Sequence, residues 1–159
     1  MKVQRLCPPA FQNQAAMKNV DEILYDALKA DAELMQAVGG RVVSTCFEVS
    51  PTEADNTPLP NIIVTDDGFQ NQQTSKDNVW EACEDRVQVG VDVAAESPQE
   101  VQRLIRLCRK AISRYVIQMY NDGQEIPELD ALTSDGLAWD WMKPCYYQRL
   151  TYSCTTTNA

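Results

Sequence analysis

The chain has 159 residues, of which 44% are hydrophobic and 23% charged, with a formal net charge of −9 and a pI of about 4.4. This length suits one globular domain whose core needs neither a disulfide nor a metal to fold. The acidic balance argues against wrapping of nucleic acid and against binding to an anionic membrane, because both require a basic surface. No window approaches the roughly 20 apolar residues of a membrane span, and the first residues lack the apolar run of a signal peptide.

Residues 1–18 are predicted to form an arm or extension, because Pro8 and Pro9 interrupt any helix there. Residues 19–159 are predicted to form a single domain. Its first helix should begin between Gln12 and Asn19 and end near Lys29, since apolar residues recur there at helical spacing.

The segment Asp21–Val42 has the pattern of two short helices followed by the start of a strand. Asp31 stands directly before AELMQAV, where a helix N-cap would stand. Gly39 and Gly40 follow the last periodic residue, where a left-handed C-cap favours glycine. The apolar pattern then changes from helical to strand-like, which predicts a first strand over about Arg41–Phe47.

A segment rich in Pro, Asp, Asn and Thr follows and is predicted to be a loop, after which the chain returns to a strand at Asn61–Thr65. The consecutive apolar residues of this strand predict burial on both faces or a central position. The sequence Asp66-Asp67-Gly68 is typical of a turn. The polar run after it, Gln70–Asp77, is interpreted as a loop.

The clearest strand signal is Arg86–Ala94, in which valines alternate with polar residues and with Gly90. Gly90 falls on the polar side, where a strand glycine often marks a bulge or a close backbone approach. The segment Ser97-Pro98-Gln99-Glu100 then opens a long helix, because it supplies an N-cap, a first-turn proline and a capping box. An apolar stripe from Val101 to Met119 is predicted to pack on the valines.

Residues 121–136 are interpreted as a long loop, and the last strands are predicted at Ala138–Met142 and Tyr146–Thr155. Trp139 and Trp141 share one side of the first of these strands. Packing under the long helix is the favoured interpretation of this pair, and a partner-binding aromatic patch is the alternative. The whole order predicts an α+β fold, with a mostly antiparallel sheet and helices packed on one face.

The order and spacing of these segments resemble the tail-completion proteins of long-tailed bacteriophages and prophages, also called tail-terminator or head–tail joining proteins. The resemblance is carried by LYDALKADAELMQAVGGRV, LPNIIVTDDG, DRVQVGVDVAAESPQEVQRLIRLCRKAI and YYQRLTYSCTT. It covers most of residues 21–156. The first 18 residues, the polar run at 70–78 and residues 121–136 depart from the family pattern.

This resemblance implies a structural protein that forms a ring, expected to be a hexamer, which caps the tail tube and joins it to the head. The implied partners are further copies of the chain, the tail-tube protein and the head–tail connector, in the virion and in the host cytoplasm during assembly. The alternative is a head-completion protein, a neck adaptor or another oligomeric binding module of the same fold. We expect the contact with a neighbouring subunit or the tube in a polar segment that interrupts the sheet pattern: Gln70, Asn71, Gln72, Gln73, Thr74 and Ser75.

The sequence contains few of the residue types and motifs that enzymes use for catalysis. It contains no histidine and no P-loop, GxGxxG, GxSxG or HExxH motif. The six cysteines form no CxxC and are irregularly spaced, so neither a zinc site nor a disulfide framework is predicted. A carboxylate pair such as Asp66-Asp67 could bind a cation, but a turn is its commoner role. We therefore expect no enzyme activity, cofactor, metal, membrane association or sequence-specific nucleic-acid binding; an enzyme using carboxylates or a cysteine is the third hypothesis.

Overall fold

The computed structural model describes residues 19–71, 84–126 and 128–157. Along these residues the helices are α1 (Val20–Ala30), α2 (Ala32–Val38), α3 (Pro51–Asp55) and α4 (Pro98–Asn121). The strands are β1 (Val42–Ser44), β2 (Asn61–Asn71), β3 (Glu84–Ala95), β4 (Glu128–Ser134), β5 (Ala138–Asp140) and β6 (Cys145–Thr157). The predicted α+β class is confirmed, while the predicted arm at 1–18 lies outside the described residues.

The strands form one mixed sheet in the order β1-β2-β3-β6-β4, with β5 also beside β6. β1 pairs in parallel with β2, and the other pairings among the described strands are antiparallel. The predicted, mostly antiparallel sheet is therefore confirmed. β4 and β5 lie one after the other along the same side of β6, so β1 forms one edge of the sheet and β4 with β5 forms the other.

The helices α1 and α4 pack on one face of this sheet, over the alternating valines of β3, and α2 packs on both helices. Val89, Val91 and Val93 are buried in a core to which α1 and α4 both contribute. Burial of each large apolar side chain contributes roughly 1.5–3 kcal/mol as an upper bound. The predicted stripe of α4 supplies much of this core through its buried residues Val101, Leu104, Ile105, Cys108, Ala111, Ile112 and Met119.

Helix caps lie where the sequence predicts them. The Asp31 carboxylate accepts a hydrogen bond from the Leu34 N–H at 2.9 Å, and the Ser97 hydroxyl accepts one from the Glu100 N–H at 3.2 Å. Gly39 has a φ of 59°, in the left-handed region, and closes α2. These caps fix where α2 ends and α4 begins, and hence how the helices meet the sheet.

The turn predicted at Asp66-Asp67-Gly68 is wrong. Gly68 has a φ of 92°, and the register between β2 and β3 shifts between Asp66 and Phe69. The segment is therefore a bulge within β2, and the strand continues to Asn71. The pattern misled because the same residue types suit a turn and a glycine-containing bulge.

Two predicted loops contain regular structure. Ser50 caps the short helix α3 by accepting a hydrogen bond from the Glu53 N–H at 3.2 Å, with Pro51 in its first turn. Glu128–Ser134, inside the loop predicted at 121–136, forms β4 because β6 supplies a hydrogen-bonding partner. The predicted first strand is too long, since a turn follows Ser44.

Candidate assembly surface

The predicted contact segment begins in a strand and not in a loop. Gln70 pairs with Arg86 and Asn71 with Asp85 in the ladder between β2 and β3. The Asn71 amide also donates to the Asp85 carboxylate at 2.8 Å. The loop prediction is wrong for these two residues, because β3 offers backbone partners to the end of β2. The other four, Gln72, Gln73, Thr74 and Ser75, lie outside the described residues, so the contact role of the segment stays a prediction.

The end of β2 is not covered by the helices. Phe69 pairs with Val87 and is 71% exposed, whereas Val87 is half-buried against the core. Gln70 beside it is exposed as well. This end of the sheet therefore presents an aromatic ring next to polar side chains.

The sheet face opposite the helices carries an ion cluster around Arg149 of β6. Its Nη1 donates to Asp92 Oδ2 of β3 at 2.8 Å. Its Nη2 donates to Thr65 Oγ1 of β2 at 3.1 Å and to the Asp67 carboxylate. The cluster therefore connects three neighbouring strands across the open face.

Gly90 makes room for this guanidinium. A Cβ at position 90 would lie 2.8 Å from Thr65 Oγ1 and would overlap the end of the Arg149 side chain. The missing side chain lets Arg149 reach across β3 to its partners on β2. The sequence predicted a bulge or a close backbone approach at Gly90, whereas the groups that approach are the side chains of Arg149 and Thr65. No local signal marked Arg149.

The ion cluster holds two carboxylates but one guanidinium. Burial raises the pKa of Asp92, and the positive charge and hydrogen bond of Arg149 oppose that shift without cancelling it. The neighbouring Asp67 carboxylate raises the pKa further. Asp92 is therefore easier to protonate than a free aspartate, and two carboxylates share one guanidinium.

Phe47 projects from the turn that follows β1, at one edge of the sheet. Its ring is 52% exposed and packs edge-on against Tyr25 of α1, with 5.0 Å between the ring centroids. The pKa of Tyr25 is raised to about 12 by burial and then by a hydrogen bond with Glu48. In the residue before Phe47, the pKa of the Cys46 thiol is raised to about 11, chiefly by burial, with Asp21 adding to the shift. Phe47 is thus an exposed ring with carboxylates nearby.

The chain around Phe47 is strongly acidic. Residues 19–60, which form α1, α2, β1 and α3, carry eight acidic and two basic side chains, a net charge of −6. We call Phe47 together with residues 19–60 the β1 flank.

An apolar groove of about 370 Å³ lies at the opposite edge of the sheet, between the second half of α4 and β4. Its wall includes Ile117 and Leu132, which are 59% and 38% exposed. Arg109 and Leu132 line its continuation toward Leu150. Its other apolar walls are supplied by Ile112, Val116, Leu129 and Tyr152. We call this feature the α4–β4 groove.

The exposed face of α4 beside the groove is basic. The helix carries five basic side chains and one acidic side chain, a net charge of +4 in an acidic protein. Within the described ranges none of the five forms an ion pair at 4.0 Å or less. All of them are exposed: Arg103, Arg106, Arg109, Lys110 and Arg114.

The tryptophan pair lies near the surface. Trp139 packs edge-on against Tyr146 with 4.7 Å between ring centroids, and Tyr146 packs on the core. Trp141 is 85% exposed and the next residue, Met142, is 95% exposed. Packing under the long helix is therefore wrong for Trp141, because the strand ends at Asp140, whose carboxylate accepts a hydrogen bond from the Met142 N–H at 2.9 Å. The aromatic-patch alternative agrees with the exposure.

In the part of the chain that the structure describes, no group of three or more His, Cys, Asp and Glu side chains is arranged to hold a metal ion. Among the helices described, none combines the length and the apolar character needed to cross a membrane. The described cysteines, Cys46, Cys108, Cys145 and Cys154, are free thiols.

Comparisons with known proteins leave the family open. No family model matches the chain, and no curated protein matches it. Among solved structures it is similar to a chain of the "Virion of native gene transfer agent (GTA) particle", with a TM-score of 0.46 and 14% sequence identity. That match covers 87% of this chain and 95% of the other. A TM-score and an identity this low assign neither a family nor a function.

Proposed function

We propose that this chain is a structural tail-completion protein of a bacteriophage or prophage, which forms a ring on the tail tube and joins it to the head. The observation that carries the proposal is the order of the segments quoted for the family resemblance. These segments form the α1–α2–β1 unit, β2, the β3–α4 unit and β6, and they lie side by side in one sheet with its helical layer. The segments on which the proposal depends are therefore neighbours in one fold, which supports the proposal.

The proposed mechanism is geometric and needs no catalysis. A ring forms when one surface of a subunit binds a different surface of the next copy and the rotation between copies closes. The sheet has two edges of unlike chemistry, the acidic β1 flank and the edge that carries the α4–β4 groove. Two unlike edges support this kind of head-to-tail contact.

The proposed partners are other copies of the chain, the tail-tube protein and the head–tail connector. The protein would act in the virion and in the host cytoplasm during assembly. The end of the β2–β3 pair, with Phe69 and the residues that continue the predicted contact segment, is the proposed contact with the tube or a neighbouring subunit. A head-completion protein or neck adaptor is the second candidate, since such a ring would use the same two edges.

A gene deletion in the phage or prophage tests the proposal. The null mutant should make filled heads and polymerise tail tubes, but the tubes should run past their normal length or fail to join heads. Electron microscopy of the lysate measures both outcomes. Complementation with the wild-type chain and with Gln99→Ala, an exposed position, is the matched control.

Normal-length tails joined to heads in the null mutant would rule out the tail-terminator function. Empty or absent heads would indicate a head-completion protein instead. Deletion of Gln72–Ser75 tests the contact segment and spares Gln70 and Asn71, which are paired to β3. The shortened chain should melt like the wild type and cap tubes poorly; normal capping would remove the contact role.

A further inference from the structure

Phe47 and the α4–β4 groove lie at the same level of the sheet, on its two opposite edges. One row of cross-strand partners runs from β2 to β4 through Asp66, Val89, Tyr152 and Leu132. The last two of these line the groove. At the β1 edge, the Thr45 N–H, in the turn that carries Phe47, donates a hydrogen bond to the Val64 carbonyl at 3.0 Å. Val64 lies on β2, two residues before Asp66 of this row.

The two surfaces are complementary in shape and in charge. One is a projecting aromatic ring, and the other is an apolar groove of about 370 Å³ with room for such a ring. The β1 flank has a net charge of −6, whereas α4 beside the groove has a net charge of +4. Opposite charges around an apolar contact favour association in one orientation and disfavour like-to-like pairing.

We propose that Phe47 of one copy inserts into the α4–β4 groove of the next copy, with the acidic residues of the β1 flank facing the basic side chains of α4. The inference rests on the proposed function, since it names the contact that would build the ring. An aromatic side chain in a desolvated pocket is a common anchor of such interfaces. The two surfaces lie on opposite edges, so each copy binds two neighbours and the contact repeats in one direction.

Photo-crosslinking from the groove tests this contact. Ile117, which lines the groove and is 59% exposed, is replaced by p-benzoylphenylalanine in the full chain. Irradiation should give a covalent dimer on a denaturing gel. After trypsin digestion, position 117 should be joined to the peptide of residues 42–76, and fragment-ion spectra should place the crosslink at or beside Phe47. A crosslink placed at residues 69–75 of the same peptide would overturn the proposal.

The crosslinked peptide decides the occupant of the groove. A crosslink to residues 1–18 would overturn the proposal, because that segment would then fill the groove. Rings visible by electron microscopy without any crosslink to residues 42–76 would also overturn it, while leaving the tail-completion function in place. Wild-type protein that stays monomeric by light scattering, whether free or mixed with tail tubes, would overturn the Phe47 contact and the tail-completion function together.

Substitutions on the two surfaces give a second measurement. Phe47→Ala and Ile117→Glu should each raise the dissociation constant between copies by about 30-fold or more, the usual effect of losing an anchor. Tyr120→Ala removes an exposed ring that does not line the groove and should change the constant by less than about 3-fold. Phe47→Ala also loses the contact with Tyr25 inside the same copy, which could affect folding. Ile117→Glu tests the same interface without changing that contact. Equal affinity of Ile117→Glu and wild type, both with normal melting, would exclude the groove.

Discussion

The two faces of the sheet are stabilised in different ways. The helix-covered face buries the valines of β3 against α1 and α4, through many contacts that are individually small. The open face depends on one guanidinium, which joins three strands over Gly90. The stability that the helix-covered face contributes should therefore not depend on pH, but it should be lost when a charge is buried there. The stability that the open face contributes should depend both on pH and on single substitutions.

A charge inside the covered face should give the largest effect. In Leu104→Asp an unpaired carboxylate would replace a side chain that is 1% exposed, which we expect to cost about 4–5 kcal/mol and to leave the protein insoluble or unfolded. Soluble yield and thermal unfolding measure this. Arg106→Ala, on the exposed side of the same helix, should change the stability by less than about 0.5 kcal/mol. A soluble Leu104→Asp protein with wild-type melting would contradict the burial of this face of α4 against the sheet.

Removal of the guanidinium should have an intermediate effect. Arg149→Met leaves the partly buried Asp92 carboxylate without its cation, and we expect a loss of about 1–3 kcal/mol. The loss should be smaller than for a fully buried pair, because both side chains keep about a quarter of their surface exposed. Chemical denaturation at neutral pH measures it. An unchanged unfolding midpoint would remove the cluster as a stabilising element.

The pH dependence of the same variant has a definite sign. The pKa of Asp92 is raised in the folded protein, so between its unfolded and folded pKa values the folded state binds more protons and stability falls as pH rises. Arg149 lowers this pKa, so Arg149→Met should raise it further and extend the falling range to higher pH. Carboxyl NMR titration of Asp92 measures the shift, and a lower pKa in the variant would contradict the geometry.

A side chain at Gly90 should act through Arg149. Gly90→Ala would displace the guanidinium, and we expect a cost of about 1–2 kcal/mol in the wild-type background. In an Arg149→Ala background the same substitution should cost less than about 0.5 kcal/mol, since an isolated strand glycine is itself slightly unfavourable. The remaining close neighbour, the Thr65 hydroxyl, then has no Arg149 donor and can rotate away from the new Cβ. A double-mutant cycle by denaturation measures the coupling. Additive effects would show that Gly90 has another role.

The thiols should give the smallest effect, a difference in chemical reactivity between the half-buried Cys46 and the buried Cys108. At pH 8 Cys46 should be alkylated slowly, because its pKa is raised to about 11, and Cys108 should stay unmodified in the folded protein because burial raises its pKa and blocks access. After denaturation without a reductant, all six thiols of the chain should react. Four or fewer reactive thiols would indicate disulfides.

Most of the covered face could be predicted from the sequence, because its signals are local. The helix α4 has its N-cap at Ser97 and an apolar stripe at helical spacing, and β3 alternates in register with its buried face. The strand β4 was missed because its residues, ELDALTS, form a strand only through pairing with β6.

The surfaces that carry the proposals depend on distant residues. The partners of Arg149 lie 57–84 residues away in the chain, so no spacing rule could indicate them. Phe47 and the groove come to one level of the sheet only through the pairing of β2, β3, β6 and β4. The charge contrast between residues 19–60 and α4 can be counted in the sequence, but its meaning requires knowing that the second half of α4 lies beside β4, on the edge opposite β1.

The place of β6 in the sheet has a consequence for synthesis of the protein. It is the last of the described strands in chain order, yet it lies between β3 and the β4–β5 edge and pairs with residues of β3 from Glu84 to Ala95. A nascent chain that ends before Cys145 therefore carries β3 with one side unpaired, and unpaired strand edges promote aggregation. We expect the domain to complete its fold late in translation, with the ribosome and chaperones protecting β3 until β6 emerges.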